Sequence, residues 1–146
     1  MSRLPEPRST LVLAVALFTV LTLAGCGGSR RAYPASGKVL DGEQNPAAGA
    51  TVILHPLDNT DSNAPKPTGV VNEAGNFTLS TYGNNDGAPV GEYAMTVIWV
   101  PTRKLTSDPE GTDRLEGRYD HPERSPLPKV RIVKPGPNEL PAVVVR

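Results

Sequence analysis

Cysteine occurs once, tryptophan once and histidine twice in 146 residues, and aromatic residues make up only 5% of the chain. A single cysteine excludes an internal disulfide framework, and together with two histidines it excludes the Cys/His ligand sets of zinc sites. Neither sign of charge is in excess, with 15 Lys and Arg against 15 Asp and Glu. The clustered basic surface that displaces counterions from nucleic-acid phosphates is therefore absent, and a DNA- or RNA-binding role is disfavoured. No apolar run reaches the roughly 20 residues that a helix needs to span a bilayer's hydrocarbon core. Helix-compatible stretches are equally scarce, because 14 glycines and 16 prolines punctuate the sequence and favour turns.

The N-terminal residues have a different organisation. Arg3 and Arg8 precede an apolar run from Thr10 to Ala24, and small residues follow it, which are the three parts of a secretory signal. Leu23-Ala24-Gly25-Cys26 resembles the lipobox of bacterial lipoproteins. That resemblance implies a diacylglyceryl thioether, carrying fatty acyl chains such as palmitate, on Cys26, and cleavage before it. The competing reading is an ordinary signal peptide with an incidental cysteine. Cys26 has no possible disulfide partner and stands at the required place, so lipidation is the expectation. Gly27, rather than Asp, at the next position resembles lipoproteins forwarded to an outer membrane instead of being retained at the inner one.

The predicted organisation is a signal peptide over residues 1–25, a lipidated cysteine and flexible tether over 26–35, and one domain over 36–146. The tether has Gly-Gly-Ser, Arg30-Arg31 and Pro34 but no hydrophobic period. Removing the leader, with its Arg3, Arg8 and Glu6, leaves 13 basic and 14 acidic residues, a net charge of −1.

Seven β-prone runs lie between turn signals, at 37–41, 50–56, 68–72, 76–80, 92–100, 129–133 and 142–145. In the fourth, Phe77 and Leu79 alternate with polar residues, which predicts one buried and one solvated face. In the fifth and longest, Tyr93, Met95, Val97 and Trp99 share one parity, so it is expected to be central with these four inward. Asn72-Glu73-Ala74-Gly75 predicts a tight hairpin between the third and fourth runs. Short strands with few intervening residues favour a seven-stranded antiparallel β-sandwich, transthyretin-like or Ig-like, behind the signal helix. The longest irregular stretch, 105–128, has six prolines and glycines and room for one or two turns over 112–119; as the longest loop it is the expected place for binding.

Gly37-Lys38-Val39 with Asp41-Gly42, then Gly49-Ala50-Thr51-Val52, Asn72 with Gly75-Asn76-Phe77-Thr78-Leu79, and Asp86-Gly87-Ala88 with Gly91-Glu92-Tyr93 together resemble the carboxypeptidase regulatory-like, transthyretin-like modules of bacterial lipoproteins. The resemblance covers residues 36–146 and implies a prealbumin-like sandwich with an accessory, adhesive or binding role and no shared active site. The related hydroxyisourate hydrolases carry a C-terminal Tyr-Arg-Gly-Ser. This chain ends Val143-Val144-Val145-Arg146, so that activity is not carried over.

The residues themselves offer little chemistry. His55 and His121 read as partly exposed structural histidines, with no catalytic triad or metal set around them. Asn84-Asn85-Asp86-Gly87 and the stretch from Asp58 to Asp61 carry oxygen ligands without EF-hand spacing, so turn chemistry explains them. Tyr33, Tyr82 and Tyr119 are the candidates for stacking on sugars, whereas Tyr93 reads as a buried corner tyrosine bonded to backbone. The functional expectation is a lipid-anchored extracytoplasmic module that binds another exported protein or serves structurally. It has no cofactor or metal, no catalysis and no small-molecule substrate. A carbohydrate- or wall-binding module is the alternative, ahead of a hydrolase of the same fold.

Overall fold

The computed structural model describes residues 31–59, 61, 63–100, 111–133 and 136–146. The leader, Leu23, Ala24, Gly25, Cys26 and the first half of the tether lie outside the described residues, as do positions 101–110. The described chain is all-β, with eight strands: β1 Ala35–Leu40, β2 Thr51–Pro56, β3 Thr68–Val70, β4 Asn76–Thr78, β5 Gly91–Ile98, β6 Val130–Ile132, β7 Asn138–Glu139 and β8 Val143–Val144.

Two four-stranded sheets form. One has the order β3-β2-β5-β6; in the other, β1 is flanked by β4 on one side and by β7 and β8 on the other. All seven expected runs contain a strand. The eighth, β7, is a two-residue strand of Asn and Glu without β-branched side chains, and this is why periodicity did not reveal it. The expectation of a purely antiparallel arrangement needs correction. β1 pairs in parallel with β7 at Ala35–Asn138 and with β8 at Val39–Val143, while every other strand pair is antiparallel.

The 72–75 hairpin needs a second correction. Its turn closes as the sequence predicts, with Gly75 N–H bonded to Asn72 O at 2.9 Å and the Asn72 side chain accepting from Ala74 and Asn76 N–H. Its arms nevertheless go to different sheets, β3 to β2 and β4 to β1, and meet again at the reciprocal bonds between Thr68 and Ser80.

One buried cluster joins the sheets: Val39, Phe77 and Val143 from the β1 sheet meet Val52, Leu54, Met95 and Val97 from the other. Burying such side chains supplies about 1.5–3 kcal/mol each before entropy is counted. Phe77 occupies space over Gly37, where a Cβ would come within 2.7 Å of the ring, so the absence of a side chain at Gly37 is what lets the two strands close on the aromatic.

β5 is central, as its length suggests. Both of its parities are buried from Tyr93 to Val97, however, including Ala94 and Thr96, so the solvated face seen on β4 does not extend to it. Trp99 lies just past the strand and is half-buried: it packs against the core, its indole N–H donates to Ala48 O at 2.9 Å, and the Arg114 guanidinium covers its ring at 4.9 Å.

Candidate functional site

The side chains that the sequence singles out are distributed over two ends of the sheets. Strand register defines these ends. Gly91 pairs with Ile132 and Tyr93 with Pro56 at one end of β5, while Ile98 pairs with Thr51, and Thr51 with Val70, at the other. Seven residues of extended chain separate the ends, about 23 Å.

At the Gly91 end, Tyr93 donates its hydroxyl to Pro89 O at 2.9 Å, the backbone-bonded corner expected of it. Burial, with Asp58 and Tyr82 nearby, pushes this phenol up to about 12. The loop before it is organised by Asp86, whose carboxylate accepts from the backbone N–H of Thr81, Tyr82 and Gly83 at 2.7–3.0 Å. Burial alone would raise this carboxyl, but those three donors hold it below its usual value. Asn59 Oδ1 accepts from Asp61 N–H and Asp61 Oδ1 from Asn63 N–H, both at 2.9 Å. Asn59, Asp61 and Asp86 therefore spend their side-chain oxygens on nearby backbone N–H groups, and among the described residues no group of three His, Cys, Asp or Glu could hold a metal ion.

At the opposite end, residues 112–119 make the one or two turns expected, through Glu116 N–H to Asp113 O and Arg118 N–H to Leu115 O. Asp113 fastens this segment to β5: Oδ1 accepts from Trp99 and Leu115 N–H at 2.8 and 3.1 Å, and Oδ2 from Gly117 N–H at 3.0 Å. Leu115 and Tyr119 are thereby placed in the core. Tyr119 is thus no sugar platform, since its hydroxyl accepts from Arg146 N–H and its carbonyl from Val97 N–H. Of the other two tyrosines, Tyr33 is half-buried against the core and bridges to Ala88, and Tyr82 is exposed, both at the Gly91 end, whereas Tyr119 lies at the opposite one. His121 is exposed and lies 4.0 Å from Asp120, which Arg124 approaches at 3.8 Å.

Asp113 and Asn138 were not singled out by sequence reasoning. Asn138 is buried; its Oδ1 accepts from Val133 N–H and its Nδ2 donates to Pro34 O and Gly136 O. Both follow the turn chemistry of side-chain carbonyls bonding backbone near a glycine, which is the signal that could have found them.

His55 is half-buried on β2, in a 2.9 Å hydrogen bond with Thr96 Oγ1. Burial, with Lys66 adding repulsion, lowers its affinity for a proton below the ordinary 6.5. The unfolded chain therefore takes up the proton more readily than the folded one. Stability is expected to be complete above pH 6.5 and to fall as the pH drops from there toward the lowered folded value. Thermal melts at pH 7.5 and 5 check this, and His55→Gln is expected to reduce the difference between them.

No family model matches the chain, and no curated protein does. Among solved structures, the chain is similar to a 9R-lipoxygenase from Cyanothece PCC8801, at 15% identity over 79% of this chain and 16% of that one, with a TM-score of 0.39.

Proposed function

We propose that the chain is a lipid-anchored, extracytoplasmic β-sandwich module, transthyretin-like in fold, which binds another exported protein or supports one structurally and carries out no chemistry of its own. The observation that carries this reading is how the polar side chains of the domain are used. Asp86, Asp113, Asn72 and Asn138 accept from backbone N–H groups, Tyr93 donates to a backbone carbonyl, and His55 bonds to Thr96. The carboxylates, amides and phenol held this way position backbone, as in a scaffold. The lipobox-like Leu23-Ala24-Gly25-Cys26 supports the anchor, and Gly27 supports an outer-membrane destination.

Processing in a bacterial host tests the anchor. The native chain is expected to yield an N-terminus at Cys26 with the mass of a diacylglyceryl group and to sediment with membranes. Cys26→Ala is expected to lose the lipid mass and to remain uncut at that bond; a Cys26→Ala protein that is cut and membrane-bound as before would show the anchor to be wrong. Cross-linking in intact cells, followed by mass identification, tests the binding role. A stoichiometric protein partner supports it, and recovery with wall glycan instead would favour a carbohydrate-binding module.

A further inference from the structure

Seven large apolar side chains are exposed among the described residues, and four of them, Leu57, Tyr82, Val90 and Val133, gather at the Gly91 end of the sheets, each 42–51% exposed. They border two adjoining clefts. One, of about 650 Å³, runs between Leu57, Val90 and Val133. The other, of about 390 Å³, shares Asp58, Val90 and Gly91 with it and is edged by Tyr82. Scattered exposed valines need no explanation, but a cluster around continuous concave surface does.

The same end is where the chain leaves its tether. Tyr33 and Ala88 exchange backbone hydrogen bonds at 2.8 and 3.0 Å, two residues before Val90. Pro34 O accepts from Asn138, whose side chain in turn holds Val133 N–H. Tyr33 and Pro34, expected to belong to the flexible tether, are thus fixed to the domain and bracketed by the two segments that carry Val90 and Val133. Only six residues lie between Cys26 and Tyr33, and the seven steps span at most about 25 Å when fully extended.

We infer that this end of the domain docks on the bilayer surface, with Leu57, Tyr82, Val90 and Val133 at the boundary between headgroups and acyl chains. The inference rests on lipidation of Cys26. A patch held that close to the acyl anchor meets the membrane at high effective concentration, so weak apolar insertion suffices to orient the domain. Valine, leucine and a tyrosine with a wet hydroxyl suit that depth. The charges there are compatible with a zwitterionic surface: Glu92 is paired with Arg131 at 3.3 Å, leaving Asp58 as the cleft's unpaired carboxylate among the described residues. Docked in this way, the domain directs Trp99 and the 112–119 segment away from the lipid.

The test uses the full lipidated chain in phosphatidylcholine vesicles, with an environment-sensitive fluorophore on one introduced cysteine at a time. Cys26, blocked by its thioether, does not react. Val90→Cys and Val133→Cys are expected to give a blue-shifted emission that brightens about twofold or more and is quenched by lipid-borne nitroxide. Val70→Cys and Val144→Cys, exposed at the other end, are expected to stay water-like. Protein that floats with the vesicles but reads water at both 90 and 133 overturns the docking and leaves the anchor intact. Protein that does not float overturns both. Labels shielded in cell envelopes yet wet in lipid vesicles would assign the patch to a protein and overturn the bilayer as its occupant.

Discussion

Gly87→Ala is expected to lower the melting temperature by about 20 °C or to prevent folding altogether. Gly87 has φ +91°, and a Cβ built there would lie 1.7 Å from Tyr33 O, 2.3 Å from Tyr33 C and 2.8 Å from Pro34 Cα. All three are backbone atoms, so no rotamer change relieves the overlap. Either the lead into β1 or the 81–88 loop must move by more than an ångström. Moving the first breaks the reciprocal Tyr33–Ala88 bonds; moving the second breaks the bonds from Gly87 N–H to Leu79 O and from the Thr81 hydroxyl to Gly87 O. Two such bonds and the left-handed backbone strain together come to about 4 kcal/mol. At about 4–5 °C per kcal/mol, the low end of the range for 60–100-residue domains and fitting one slightly larger, that is the shift given. Gly83→Ala is the control in the same loop, since a Cβ there meets only Asp86 Oδ2, at 3.9 Å, and little change is expected. Thermal unfolding followed by circular dichroism separates the two variants. Equal melting temperatures would mean that the loop does not press on the lead into β1.

Much of the fold was legible because its signals are local. The alternation of Phe77 and Leu79 with polar neighbours, the β-branched and apolar residues of β2 and β5, and the Asn72–Gly75 turn each need only adjacent residues to be read. What was not legible depends on distant partners. Nothing within residues 35–40 signals that β1 will pair in parallel with chain about 100 residues away at Asn138. Nothing in the polar surroundings of Tyr119 shows that Asp113 will draw it into the core, and the two-residue β7 exists only because β1 is there to pair with it. The candidate chemistry divides in the same way. Asp86, Asn59 and Asp61 were readable as side chains that bond nearby backbone, and Tyr93 as a backbone-bonded corner. The bond from His55 to Thr96, 41 residues apart, and the assembly of Leu57, Tyr82, Val90 and Val133 at the Gly91 end of the sheets require the three-dimensional arrangement.

Asp113→Ala is expected to release residues 113–119 from β5 and to cost about 3 kcal/mol. The carboxylate accepts three backbone hydrogen bonds, each worth about 1.5–3 kcal/mol when charge-assisted and buried. Water replaces part of that on a half-exposed segment. The loss is not confined to the loop, because Leu115 and Tyr119 are core residues and the Val97 N–H to Tyr119 O bond depends on the same placement. Trp99 supplies a specific readout, as the chain's single tryptophan. Its own N–H is bonded to Asp113, its ring lies under Arg114, and its carbonyl accepts from Arg114 N–H. Releasing the segment uncovers the indole, so its emission is expected to shift to longer wavelength even at temperatures where the sheets remain folded by circular dichroism. Asp113→Asn keeps one acceptor oxygen and is expected to fall between the two, at a loss of about 1 kcal/mol. An unchanged tryptophan spectrum in Asp113→Ala would mean that Leu115 and Tyr119 hold the segment without the carboxylate. A shift with only a modest fall in melting temperature would instead show a loop that can detach locally, as a segment that rearranges to bind a partner must.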